Sequence, residues 1–182
     1  MELTAAIFSA DCGASMLQLY EPDRTMMSEA DCRVELLDWG QAMALARPVR
    51  ETVFVSEQKV PIELEWDEWD EASVHAIALL GPDFRKMNVA GTGRLLPTAP
   101  DGSARLGRMA VLSQCRAKGI GQLILNALLA EARRRNVRRI DIHAQLYAAD
   151  FYRRAGFMQE GDVFDEAGIP HIAMSLKLIS PA

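Results

Sequence analysis

The chain has 182 residues, 49% of them apolar, with a formal net charge of −5 and a pI near 5.3. That length and apolar share suffice for one domain with a sizeable core, and the acidic balance gives no electrostatic footprint for nucleic acid or an anionic membrane surface. The three scattered cysteines, Cys12, Cys32 and Cys115, form neither a disulfide framework nor a Cys-x-x-Cys metal site, which points to a reducing, cytoplasmic setting.

Residues 1–30 lack sustained periodicity and read as an N-terminal extension without a legible role, leaving residues 31–182 as a single domain. Glu2 stands where a secretory leader needs positive charge, and no run nears the roughly 20 apolar residues of a membrane span. A strand is expected over Cys32–Leu37, then a helix over 41–55, with Ala44, Leu45, Val49, Val53 and Phe54 near helical spacing and a bend or break at Pro48. Residues 56–72 are dominated by charge and read as a shaped loop with a short helical turn. Three strands come next, over 74–80, 89–96 and 105–111. The Gly81-Pro82-Asp83 turn and the stretch from Pro97 to Ser103 separate them, so an antiparallel meander is predicted. Ile120, Leu123, Ile124, Ala127 and Leu128 have the spacing of a helix buried on one face. Residues 139–143 alternate with period two, 147–155 read as a helix stopped by Gly156, and 157–164 with 171–178 read as a closing hairpin.

The stretch 109–121 places a strand, a short turn with glycines and a helix start in that order. The first N–H groups of a helix lack internal partners and sit at the positive end of its dipole, so this order suits a phosphate. Gly119 and Gly121 remove Cβ atoms from the approach, and Arg116 and Lys118 add charge. A helix start whose glycines serve only close packing would read the same. No Lys-Ser/Thr follows the glycines, and no Gly-x-Gly-x-x-Gly opens a βαβ unit, which weakens nucleoside triphosphate and dinucleotide readings.

Arg116-Ala117-Lys118-Gly119-Ile120-Gly121 resembles the Arg/Gln-x-x-Gly-x-Gly/Ala motif with which GNAT N-acyltransferases cradle the pyrophosphate of coenzyme A. Gln145-Leu146-Tyr147-Ala148-Ala149-Asp150-Phe151-Tyr152-Arg153-Arg154-Ala155-Gly156-Phe157 resembles that family's Asn-x-x-Ala-x-x-Phe-Tyr-x-x-x-Gly-Phe motif, with Gln145 in place of the usual Asn. Residues 50–61, Glu65-x-Asp67-x-x-Asp70 and Gly168-Ile169-Pro170-His171 are similar to the ElaA/YjcF-like branch, so the likeness spans about residues 32–178.

The resemblance implies an α/β (α+β) fold: a mixed, mainly antiparallel sheet flanked by helices, with strands 105–111 and 139–143 parallel and splayed around the cofactor. It implies acetyl transfer from acetyl-CoA to a primary amine by direct attack in a ternary complex, without a metal. The acceptor would be a small molecule or a peptide N-terminus, and a homodimer is compatible with it. A coenzyme A-binding sensor or interaction module that has lost turnover is the competing reading.

The implied cofactor contacts are Met109, Ala110 and Val111, then Arg116, Lys118, Gly119, Ile120 and Gly121, and finally Gln145 and Tyr152. Tyr152 is the implied general acid, against the alternative of a helical tyrosine packed by its ring. For the base, His171 is preferred to Glu57, with His143 or a water chain also open. Phe54, Glu57, Trp66 and Asp67 are assigned to the acceptor side. The run from Glu63 to Glu71 is either a solvated loop or an attractor for a cationic amine through charge and aromatic faces; it lacks EF-hand spacing. Arg133, Arg134, Arg135, Arg138 and Arg139 read as cations at the carbonyl end of a helix, and Cys115 as an incidental thiol.

Overall fold

A computed structural model describes residues 32–81 and 88–178; the expectations for residues 1–30 and for the Pro82-Asp83 turn lie outside them. Strand β1 (Cys32–Leu37) leads into helix α1 (Trp39–Arg50). Asp38 caps that helix, its carboxylate accepting from the Gln41 N–H at 2.9 Å and so satisfying a donor that has no partner within the helix. Ala42, Ala46 and Val49 form its buried stripe. Of the bend or break that the sequence suggests at Pro48, the break does not occur, and the helix runs through it. Pro48 lies on the exposed side, where water can replace the hydrogen bond its ring forgoes. The winding instead widens into a π-helical segment, Glu51–Glu57, and the Thr52 hydroxyl donates to the Pro48 carbonyl at 2.7 Å.

The charged stretch beyond it folds into two single-turn helices, α2 (Ile62–Glu65) and α3 (Trp69–Ala72). Strands β2 (Val74–Leu80), β3 (Asn88–Leu95) and β4 (Ser103–Val111) then form the expected antiparallel meander. Helix α4 (Ile120–Arg134) connects β4 to β5 (Arg139–Gln145), which pairs with β4 in parallel. A short helix α5 (Ala149–Arg154) and the hairpin β6 (Met158–Glu166) and β7 (Ile169–Lys177) complete the order. The seven strands lie β1-β2-β3-β4-β5-β7-β6, and every neighbouring pair except β4–β5 is antiparallel.

Helix α4 covers one face. Its buried stripe of Ile120, Ile124, Leu125, Leu128, Leu129 and Ala132 meets Leu106 and Met109 of β4 and Ile140 and Ile142 of β5 in the main core. Helix α1 covers the other face, over Ile77 and Leu79 of β2. Close approach of the layers requires glycine at one point of β3: a Cβ on Gly91 would sit 2.7 Å from the Ala110 carbonyl oxygen and 2.9 Å from Ile124 Cδ1. A backbone carbonyl yields less readily than a side chain. Gly91→Ala should therefore lower the unfolding free energy by about 1–3 kcal/mol, measured as a lower urea midpoint.

Two turns shape the chain after the parallel pair. Gly156 takes the left-handed conformation (φ 93°) that ends α5, with the Phe157 N–H bonded to the Tyr152 carbonyl at 3.1 Å, as the sequence predicted. Ala167 (φ 56°) and Gly168 (φ 79°) make the two-residue turn between β6 and β7, and the Asp165 carboxylate accepts from the Gly168 N–H at 3.0 Å. Among the described residues no helix is long and apolar enough to cross a bilayer.

Candidate active site

Strands β4 and β5 share three register pairs, Ser103 with Arg139, Ala104 with Ile140 and Arg105 with Asp141; beyond Arg105 they part. The parting coincides with an irregularity in β4. Arg108 has φ 51°, and the register against β3 slips between Ala110, opposite Thr92, and Gly107, opposite Arg94. Such a bulge bends a strand away from its neighbour. From Leu106 to Val111 the edge of β4 toward β5 is thereby left without a strand partner among the described residues, a ladder to which an extended amide chain could pair. Met109, Ala110 and Val111 are themselves buried.

The bulge is held from behind by charge. The Arg108 guanidinium, buried, donates to the carbonyls of Leu64 (3.2 Å) and Glu65 (3.0 Å) and to the Asp67 carboxylate at 3.1 Å. Arg94 bonds Asp67 at 2.6 and 2.9 Å and Asp70 at 2.8 Å. Arg50, also buried, bonds the Glu65 carboxylate, the Asp70 carboxylate at 2.7 Å and the Glu65 carbonyl at 2.8 Å. Burial works to raise Asp67 and Asp70, but hydrogen bonds and charge from the arginines hold both below the usual carboxylate range. The same burial pushes Glu65 up against the pull of Arg50 and Arg108.

Sequence reasoning read this stretch as a solvated loop or a receiver for a cationic amine. The structure corrects the solvated-loop reading for Glu65, Asp67 and Asp70, whose carboxylates pair with three buried guanidiniums. Trp66 likewise lies under Arg50 and Arg47, at 4.5 and 4.9 Å from the ring centroid. Phe54 is fully buried with Val49, Val53 and Ala110.

At the far end of β4 the chain passes through Ala117 (φ 61°) and Gly119 (φ 84°) into α4, which has no side-chain N-cap. Its first backbone donors are thus available to an anion, with Lys118 exposed beside them and Ile120 and Gly121 buried in the first turn. Arg116 is used differently from expectation. Its Nε donates to the Val111 carbonyl at 2.9 Å and its other end pairs with Glu57, so it ties the end of β4 to the π-helical segment. Glu57, assigned as a second candidate base, is by that pairing half of an ion pair.

Gln145, at the end of β5, is buried and makes a reciprocal amide pair with Gln58, at 3.2 and 3.0 Å; the Tyr147 hydroxyl also donates to it. These contacts bridge the end of β5 to the residue following the π-helix. Tyr152 of α5 is fully buried, its ring edge-on to Phe151 and Phe157, and its hydroxyl has no partner among the described residues. Burial, with a smaller contribution from Tyr147, pushes its acidity far down, so it stays protonated.

On the face of the sheet opposite α4, β5, β6 and β7 assemble a polar group that the sequence showed only in part. The Arg105 guanidinium donates to His143 Nε2 at 2.9 Å; having no acceptor atoms, it fixes the tautomer, so His143 Nδ1–H donates to Glu166 at 2.8 Å. His171 Nδ1–H donates to the Ile169 carbonyl at 2.8 Å, which leaves Nε2 as the lone-pair nitrogen of a neutral ring. Arg105 and Glu166 were missed from sequence; the available signal was that Glu166 shares the two-residue hairpin with His171. The basic cluster after α4 is answered within the fold, Arg134 and Arg135 clasping Glu131 at 2.7 Å and Arg139 reaching Asp141 and Glu160 at 2.6 Å.

Residues 84–178 match the family described as acetyltransferase (GNAT) domain. The chain belongs to the GNAT acetyltransferase family. It is similar to the uncharacterized N-acetyltransferase YjcF of Bacillus subtilis, 38% identical over 128 residues, 69% of this chain and 86% of YjcF. A solved candidate N-acetyltransferase from Lactobacillus plantarum superposes with a TM-score of 0.72 at 28% identity, covering 82% of this chain and 99% of its own. Escherichia coli ElaA shares the fold, with a TM-score of 0.68 at 22% identity over 79% of this chain and 98% of its own. GNAT membership carries use of an acyl-CoA with it, and the residues present suit one. The uncapped α4 N-terminus fits a pyrophosphate, the open β4 edge fits an amide chain, and the orphaned Tyr152 hydroxyl fits a sulfur acceptor.

Proposed function

We propose that the chain transfers an acetyl group from acetyl-CoA to a primary amine, by direct attack of the amine while both substrates are bound. The observation that carries this reading is the fully buried Tyr152 hydroxyl, without a partner among the described residues, on the helix that follows the splayed strand pair. The backbone donors of Gly119 to Gly121 would hold the pyrophosphate with Lys118 beside them, and the open edge of β4 the pantetheine amides. A backbone N–H in the Met109–Val111 segment would receive the charge growing on the carbonyl oxygen.

The proton balance closes within the chain. As the carbon–nitrogen bond forms and the carbon–sulfur bond breaks, the nitrogen sheds one proton and the sulfur needs one. Tyr152 gives its hydroxyl proton to the sulfur and regains the one the nitrogen releases; its low acidity means it yields that proton only as the thiolate charge develops. An acceptor that arrives as an ammonium must lose one proton earlier, and His171 Nε2, which has no donor among the described residues, would take it. The route in for that acceptor would be a cavity of about 590 Å³ lined by Asp67, Glu68, Trp69, Leu96, Arg105 and Asp141, which shares Arg105 with the His143 group.

A thiol-release screen of polyamines, aminoglycosides, amino acids and peptide N-termini tests the proposal. Turnover with at least one amine is expected; tight coenzyme A binding without turnover across the panel would favour a sensor instead. With His171 as base, kcat/KM for the acceptor should fall as pH drops through the imidazole pKa. Burial lowers that pKa below the ordinary histidine range, opposed by the bond to Ile169 and the charge of Glu166, so the acid limb should lie below the usual imidazole value.

A further inference from the structure

We propose that Glu166 and His171 together receive the primary ammonium group of the acceptor, which makes Glu166 a substrate-binding residue of this enzyme. This deepens the acetyl-transfer reading and rests on it. Glu166 Oε1 and His171 Nε2 are both buried acceptor atoms, and neither has a hydrogen-bond donor among the described residues. The side chains themselves are 6% and 0% exposed. An acceptor atom withdrawn from water without a donor costs about 1–3 kcal/mol, more when charged, so two of them on diagonal neighbours of one hairpin face imply an occupant that supplies N–H groups.

Register places the two on one face. His171 lies directly opposite Phe164, the rings stacking at 6.0 Å, and Glu166 is two residues from Phe164 on the same side of β6. His143 shares that face, edge-on to Phe164 at 4.9 Å. Each receiving atom is oriented by a bond made through the other end of its own side chain: Glu166 Oε2 is held by His143, itself held by Arg105, and His171 Nδ1 by the Ile169 carbonyl.

The chemistry of the pair selects its ligand. Glu166 is held in the ionised range, burial being outweighed by the hydrogen bond from His143 and the influence of His143 and His171. One carboxylate oxygen and one neutral imidazole nitrogen require two donors. A primary ammonium has three, enough for both with one left over, whereas a hydroxyl acceptor has one and would leave an atom orphaned. The site therefore favours N-acylation of primary amines over O-acylation, and His171 touches the nitrogen whose proton it takes.

Glu166→Gln keeps the shape and removes the charge. Its KM for a primary amine should rise about 10- to 100-fold, the range for losing a hydrogen bond to a charged group, while the rise in melting temperature produced by coenzyme A stays as in the wild type. An unchanged amine KM in Glu166→Gln would overturn the proposal, as would comparable wild-type turnover of butan-1-ol and butylamine. Should the wild type release no thiol with any amine, the acetyl-transfer reading fails first. The receptor is then tested by binding: in the presence of coenzyme A, butylamine but not butan-1-ol should raise the melting temperature of the wild type and not of Glu166→Gln. Equal shifts from both ligands, or none, would mean that only water occupies the pair.

Discussion

Tyr152→Phe is expected to reduce turnover by about 100-fold or more, in the range for loss of a positioned general acid, without weakening the fold. The second half of that expectation comes from the orphaned hydroxyl. A buried O–H with no partner contributes nothing to stability and carries a desolvation cost, so its removal should leave the melting temperature unchanged or raise it. The rings of Phe151 and Phe157, which pack edge-on against this side chain, meet the same ring face in either variant. Activity and stability should thus separate. Steady-state kinetics and a thermal melt on one preparation check both, and a rate within about threefold of wild type would remove Tyr152 from the proton path.

Arg50→Met should do the reverse and cost stability heavily. Arg50 is one of three buried guanidiniums facing Glu65, Asp67 and Asp70, and it bonds both the Glu65 and Asp70 carboxylates. Removing one partner from a buried ion cluster leaves charge without compensation, at a cost of about 3–5 kcal/mol. For a domain of this size that corresponds to a fall in melting temperature of about 6–20 °C. The methionine also loses the stacking of the guanidinium on Trp66. Because Glu65 and Asp67 anchor Arg108, the residue at the β4 bulge, coenzyme A binding should weaken along with stability. A melt within about 2 °C of wild type would mean that the cluster reorganises at little cost.

The two motifs at 116–121 and 145–157 were legible because each is local: the glycines, the Phe-Tyr pair and the terminating Gly156 act within a turn or two of each other. The meander and the closing hairpin were legible for the same reason, through alternation and turn residues. The ion cluster was not. Arg50, Glu65, Asp67, Asp70, Arg94 and Arg108 come from four separate parts of the chain, and a run of carboxylates looks the same whether its partners are water or arginines from distant strands. Burial of charge is a property of the tertiary fold, so sequence alone does not separate Glu65, Asp67 and Asp70, which point inward, from Glu63, Glu68 and Glu71, which stay exposed. Glu166 was passed over on similar grounds, since the bond that orients it comes from His143, on a different strand. The pairing of Arg116 with Glu57 turned two residues given separate roles into one contact.

The π-helical turn after α1 has a consequence for how this enzyme could diverge. Relative to an α-helix such a turn holds an extra residue, and one residue is worth about 100° of rotation. Glu57 and Gln58 sit just at its end, where they reach Arg116 and Gln145 across the opening between β4 and β5. Deleting a single codon between Glu51 and Ser56 would restore ordinary winding and swing both side chains to another bearing, while the rest of α1 kept its packing. The wall of the opening between β4 and β5 could thus be redrawn in one genetic step.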